Sequence, residues 1–196
     1  MELALSPGSA RKAGFCSLRL ERTFNACFAS AYRTRLVGGA REPLYEPASA
    51  IEGRAFNLLH YREDYFASAL HEVAHWCIAG PERRELVDFG YWYAPDGRGA
   101  AQQRAFERVE CKPQALEWFF SKACARSFRV SVDNLDGLAA DLQDSERFER
   151  QVLQQALRWQ HSSMPGRALQ FYRALCREFG TVLAPAQLEF SLRDLR

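Results

Sequence analysis

The chain has 196 residues, 47% of them hydrophobic, with 26 basic and 24 acidic residues and a formal net charge of +2. That size and composition suffice for one well-filled core, hence one domain, and a charge this close to balance gives no argument for nucleic acid or a membrane surface as partner. No run approaches the roughly 20 apolar residues of a membrane span, and Leu3-Ala4-Leu5, the one apolar run before Pro7, is far short of a signal-peptide h-region, so a cytoplasmic protein is expected.

Residues 1–14, with Ser6-Pro7-Gly8-Ser9, read as a loose lead-in to a single domain over 15–196. Phe24, Cys27, Phe28, Ala31 and Leu36 recur at helical spacing and predict a helix from about Glu21 to Val37, stopped by Gly38-Gly39. The two prolines in Glu42-Pro43-Leu44-Tyr45-Glu46-Pro47 push their predecessors out of the α region, which predicts an extended or looped stretch. Ala55 to His60 reads as a short strand. It leads into a helix over Asp64 to Ala79, which Gly80-Pro81 ends. Leu86 to Tyr93, rich in aromatic and β-branched residues, predicts a strand, with a turn at Pro95-Asp96-Gly97. A helix follows over Gln102–Cys124, with Phe106, Val109, Pro113, Leu116, Phe120 and Ala123 as its apolar face and Pro113 as either a kink or the true first turn. Phe128 to Val132 reads as a short strand, and two further helices span about Asp144–Gln160 and Arg167–Phe179, separated by Met164-Pro165-Gly166. The class is α+β: a mostly helical single domain with a small sheet, compatible with a zincin-like core.

The basic residues are unusual in kind: lysine occurs at 12, 112 and 122 alone, so 23 of the 26 are arginine. Genomic base composition accounts for this, and an arginine-lined surface for an acidic partner is the alternative. Six cysteines (16, 27, 77, 111, 124, 176) contain no C-x-x-C pair, and Cys77 and Cys124 fall among apolar neighbours. They read as small buried hydrophobes in a reducing compartment.

The chemistry is concentrated in His71-Glu72-Val73-Ala74-His75. Helical residues four apart lie on one face, roughly 5–6 Å apart at Cβ, so both imidazoles can reach one metal ion at about 2.0–2.1 Å. Glu72 points roughly 100° away around the axis and can stand beside the ion as a catalytic base without binding it. A catalytic centre needs a third protein ligand and open positions. No histidine follows before His161, which favours a carboxylate. Glu110, four residues after Phe106 on the border of an apolar face, should point inward, where a carboxylate must be paired or bound to metal. Glu117, seven residues on, is a second ligand candidate or an outer group holding a ligand in place, with Asp88 and Asp133 behind it. His60 and His161 are not expected as ligands. Tyr91-Trp92-Tyr93 reads as sheet packing or as the wall of a substrate pocket.

Two histidines and a carboxylate fit two chemistries. Zinc with Glu72 as general base would make a metallopeptidase. Fe(II) with open positions for dioxygen and substrate would make an oxygenase. A third possibility is a metal-stabilised binding protein without turnover, its fourth ligand supplied by Glu117, a cysteine or His161.

Four blocks choose between these. The run Asp64 to Gly80 around the two histidines resembles the elongation factor P hydroxylase (EpmC) family. So do Arg84 to Tyr93 with Pro95-Asp96-Gly97-Arg98, then Val109 to Trp118, and then Val130 to Leu135, in the same order and spacing. The resemblance covers about residues 20–180. It implies hydroxylation of the β-lysylated lysine of translation elongation factor P, the last step of that modification. It places the metal ligands at His71, His75 and Glu110 and implies Fe(II), dioxygen as co-substrate and a reductant that the sequence does not identify. A long cationic substrate side chain calls for carboxylates and aromatic faces. Asp88, Tyr91, Tyr93 and Asp133, all inside the resembling blocks, are the candidates for binding it. The departures, a longer arginine-rich N-terminus and a variable C-terminal tail, bear on partner contacts.

Overall fold

The computed structural model describes residues 15–90, 99–131 and 142–195. The lead-in expected over 1–14 lies outside them, as do Tyr91, Tyr93 and Asp133. Among the described residues there are five α-helices: α1 (Ser17–Tyr32), α2 (Phe66–Ile78), α3 (Ala100–Ala123), α4 (Leu142–His161) and α5 (Gly166–Phe179). One three-stranded sheet, in the order β1-β3-β2, is built from β1 (Thr34–Ala40), β2 (Leu44–Glu46) and β3 (Asn57–Arg62). β1 runs parallel to β3 and β2 antiparallel to it. The α+β reading holds, with the sheet between α1 and α2 in sequence and the longest helix, α3, packed against α2, α4 and α5.

The first helix ends earlier than its apolar spacing suggests. Arg33 turns left-handed (φ 48°) after Tyr32, and Thr34 to Val37 become strand with Thr34 and Leu36 buried. Pairing with β3 overrides the helical periodicity because Leu36 fills the core equally well from a pleated backbone. The outer edge of β1 is closed by α1: Asn25 Oδ1 accepts the Leu36 amide at 3.0 Å and Glu21 Oε1 the Gly38 amide at 3.0 Å. Glu21 also accepts from the Tyr61 hydroxyl at 2.8 Å. Gly38 is required by closeness: a Cβ there would stand 2.5 Å from Tyr61 Oη and 2.9 Å from the Glu63 carbonyl oxygen.

Two predicted strands are absent from the described residues. Glu82–Glu85 and Val87–Gly90 form 3-10 turns in place of a strand from Leu86. Asp88 and Phe89 both adopt left-handed backbone (φ 48° and 57°). Side chains fix this segment to β2: Asp88 Oδ1 accepts the Tyr45 amide at 2.8 Å, and the Phe89 ring stacks on Tyr45 with centroids 4.4 Å apart. Asp88 thus closes the other edge of the sheet, as Glu21 and Asn25 close the first, leaving the described strands little exposed edge to pair elsewhere. Residues 128–131 are not part of a strand among the described residues. The buried Gln114 of α3 holds the last of them, its amide donating to the Ser131 carbonyl at 2.7 Å and its oxygen accepting the Ser131 amide at 3.0 Å. Pro113 lies inside α3, and the helix runs through it.

The motif helix α2 is buried through Ala69, Leu70, Val73, Ala74, Trp76 and Cys77. Trp76 sits in an aromatic nest with Phe24 and Phe28, at centroid distances of 5.1 and 4.7 Å. All six cysteines are free, and Cys77, Cys124 and Cys176 are buried. Burial raises the thiol pKa of Cys77 and lifts that of Cys124 to about 12, which suits packing rather than reactivity. The C-terminal carbonyls of α2 are gathered by arginine. Arg167 of α5 donates to the Trp76, Cys77 and Ala79 carbonyls at 3.0, 3.1 and 2.5 Å, and Arg84 donates to Ala79 at 2.9 Å. The Arg167 guanidinium lies 4.7 Å from the Trp76 ring centroid. Positive charge at a helix C-terminus is favourable, and all three bonds from Arg167 converge on one terminal nitrogen, Nη2.

Replacing Arg167 with Met is expected to lower the unfolding free energy by about 2–4 kcal/mol, with Lys recovering only part because it lacks the planar guanidinium that lies over the Trp76 ring. Urea midpoints of the three proteins measure this; a Met variant as stable as the parent would contradict the anchoring role.

Candidate metal centre

α2 and α3 lie against each other. The spacing of four within α2 and the spacing of seven between Glu110 and Glu117 put two imidazoles and two carboxylates on the facing sides. His71 Nε2 and His75 Nε2 are 3.1 Å apart. Glu110 reaches both, with Oε2 at 3.3 Å from His71 Nε2 and Oε1 at 3.2 Å from His75 Nε2. Ligand atoms of these three residues all lie within 4.8 Å of one another. Glu117 is on the far side of the His71 ring, Oε2 at 2.9 Å from Nδ1.

Glu110 is 1% exposed, and neither of its oxygens has a partner with hydrogen-bond geometry. A buried carboxylate in that condition is costly unless a cation completes it. Three ligand atoms bound at about 2.1 Å, with angles between octahedral and tetrahedral values, stand about 3.0–3.4 Å from one another. The two imidazole nitrogens fall within that span, and each has a different oxygen of Glu110 at a similar distance. With one ligand atom from each residue all within 4.8 Å of one another, His71, His75 and Glu110 form a donor set that suits a divalent ion. Three protein ligands leave room for further ones, and Glu117 is engaged by the other nitrogen of His71.

Electrostatics point the same way. Burial disfavours the charged form of His71, but the Glu110 and Glu117 carboxylates outweigh it and raise its pKa well above the ordinary histidine value. Burial likewise opposes the Glu110 carboxylate, and the His75 and His71 imidazoles overcome this and hold its pKa far below the usual range. Without metal, the site thus keeps a positive charge among its carboxylates as a proton. Glu72 is half-buried one position from His71. Burial raises its pKa, the two histidines offset part of this, and Glu110 and Asp88 add to it. A carboxyl group so placed can take up and release a proton beside the centre.

The remaining candidates are scattered. Asp88 is close enough to influence Glu72, yet its Oδ1 is bound to the Tyr45 amide. Tyr91, Tyr93 and Asp133 lie outside the described residues. His60 pairs with Glu46 at 3.3 Å, and His161 is exposed at the end of α4. Gln114, one turn from both Glu110 and Glu117, escaped the sequence reading; a polar residue in register between two inward carboxylates was the available signal.

In metal-free protein the raised pKa of His71 has a definite sign. Its contribution to stability is complete below the ordinary histidine pKa and is lost as pH rises through the raised one. After chelator treatment, the thermal midpoint is expected to fall across that window, and less steeply in His71→Gln, whose side chain does not titrate. A midpoint that climbs over the same window would contradict the charge arrangement.

Residues 23–189 match the family described as elongation factor P hydroxylase (EpmC). The chain is also 44% identical over 158 residues to a protein of Haemophilus influenzae named elongation factor P lysine hydroxylase, covering 81% of this chain and 86% of that protein. The blocks carrying His71, Glu72, His75, Glu110 and Glu117 fall inside the matched span. On both counts, the chain belongs to the elongation factor P hydroxylase family.

Proposed function

We propose that this protein hydroxylates the β-lysylated lysine of translation elongation factor P in the cytoplasm, acting as a monooxygenase with a non-haem Fe(II) ion held by His71, His75 and Glu110. The observation that carries the reading is the convergence of two imidazole nitrogens and one orphaned buried carboxylate, from two helices, in a member of this family. Residues 15–196 act in this reading as one catalytic domain. A ferrous ion at these ligands supplies oxidising power, with dioxygen as co-substrate and a separate reductant, for attack on an unactivated C–H bond that no side chain can oxidise.

The chain's own residues do the rest. His71, His75 and Glu110 present their ligand atoms from one side and leave the other side for substrate. Glu72, half-buried and with its pKa raised by burial, holds or passes a proton at its carboxyl group. Asp88, Tyr91, Tyr93 and Asp133 are proposed to receive the cationic substrate chain: carboxylates for its ammonium groups, phenol rings for cation–π contact. For Asp88, the bond from the Tyr45 amide fixes the carboxylate's direction, so the same group closes the sheet and faces the neighbourhood of Glu72.

The test is the intact mass of β-lysylated elongation factor P after incubation with this protein, Fe(II), a reductant and air. The expected result is a gain of one oxygen atom, lost in Glu110→Ala and in His71→Ala. An unchanged mass, with zinc in the purified protein and a cleaved peptide library, would replace the hydroxylase by a metallopeptidase using Glu72 as base. An unchanged mass without cleavage would leave a metal-stabilised binding protein.

A further inference from the structure

α3 addresses the His71 ring at both ends. Glu110 stands at Nε2, 3.3 Å away, and Glu117 at Nδ1, 2.9 Å away. The two carboxylates are seven residues apart, roughly 10 Å along the helix axis, and the imidazole of a different helix lies between them. We infer that Glu117 is the positioning residue of the metal centre, its carboxylate accepting the Nδ1 proton of His71 and so fixing the tautomer and ring orientation that turn the Nε2 lone pair toward Glu110 and His75. This inference rests on the metal-centre reading above and adds the residue that makes the centre directional.

The chemistry of the contact leaves one assignment. An ionised carboxylate only accepts hydrogen bonds. At 2.9 Å from Glu117 Oε2, Nδ1 must therefore carry the proton, and a neutral ring protonated there has its lone pair on Nε2. Glu117 is 8% exposed, so water competes poorly for that bond and the ring is held where a metal ligand is needed. A carboxylate in this place also makes the ligating nitrogen more basic than a backbone carbonyl would. Glu117 differs from Glu110 in what it faces: Glu110 approaches the shared point with both oxygens, whereas Glu117 approaches the ring on the opposite side. That separates the two roles the sequence left open for Glu117, in favour of holding a ligand over being one.

The experiment uses zinc as a diamagnetic probe ion and the full-length chain. Zinc affinity is measured by competition with a chelating dye for the parent, Glu117→Ala, Glu117→Gln and His71→Ala, together with long-range proton–nitrogen NMR of the histidine rings in zinc-loaded parent protein. Glu117→Ala is expected to weaken zinc binding by about 10–100-fold, and Glu117→Gln, whose amide oxygen can still accept from Nδ1, to recover most of the loss. The parent spectrum is expected to show His71 protonated at Nδ1 and metallated at Nε2; this readout serves whether or not the alanine variant folds. Unchanged affinity in Glu117→Ala, a glutamine variant as weak as the alanine one, or a His71 bound through Nδ1 would each overturn the positioning role. His71→Ala binding zinc as tightly as the parent would instead sink the metal centre itself, with the Glu117 variants then having nothing to orient.

Discussion

The structure turns on one buried carboxylate. Glu110 is enclosed at the contact of α2 and α3 with no hydrogen-bond donor properly aimed at either oxygen, facing two imidazole nitrogens little more than 3 Å away. Its burial is tolerable only with positive charge between the helices, as a proton on His71 or as a metal ion. The three groups therefore have to meet closely, and their ligand atoms all lie within 4.8 Å of one another. Much of the remaining fold can be understood as holding α2 and α3 in that relation.

α2 is fixed from several directions. Its apolar face enters the core through Leu70, Val73 and Trp76, its C-terminal carbonyls are gathered by Arg167 and Arg84, and β3 leads into it from the middle of the sheet. The sheet in turn is closed at both edges by carboxylate and amide side chains of neighbouring segments, Glu21 and Asn25 on one side and Asp88 on the other. Consecutive left-handed residues at Asp88 and Phe89 show that this closure outweighs the local backbone preference, since each such residue costs of order 1–3 kcal/mol. Strain of this kind persists only where surrounding contacts over-determine it, and here it sits within electrostatic reach of Glu72.

The parts of this arrangement that depend on one element's own periodicity were legible in the sequence. The spacing of His71 and His75, the amphipathic stretches of α2, α4 and α5, and the inward border position of Glu110 are all one-helix arguments, and the structure brings those three residues together. The parts that depend on a partner were not. Thr34 to Val37 could fill the core as helix or as strand, and only β3 decides between them. Leu86 to Gly90 has strand-forming composition, but Tyr45 and Phe89 stack and Asp88 caps, so the segment turns instead. Residues 128–131 form no strand among the described residues, and Ser131 is held by a glutamine side chain. Nor does any one-helix argument tell Glu110 from Glu117, because both lie on the same face of α3; the difference is which nitrogen of a histidine on another helix each one meets.

That difference has a structural origin. Two carboxylates that meet the two nitrogens of one imidazole must stand on opposite sides of its ring, and a single helix can supply both only if they straddle it. Two helical turns provide that reach. α3 continues as one helix between them even though Pro113 lacks the N–H that would bond the Val109 carbonyl. Gln114, between the two carboxylates, makes no claim on the histidines; both ends of its amide are taken by Ser131. One face of α3 thus carries, in successive turns, a carboxylate facing both imidazoles, an anchor for the segment ending at Ser131 and a carboxylate at the other nitrogen of His71. A shift of α3 by one residue would move all three off their partners together, and for that reason the packing of α3 on α4 and α5 belongs to the chemistry of the site as much as to the stability of the fold.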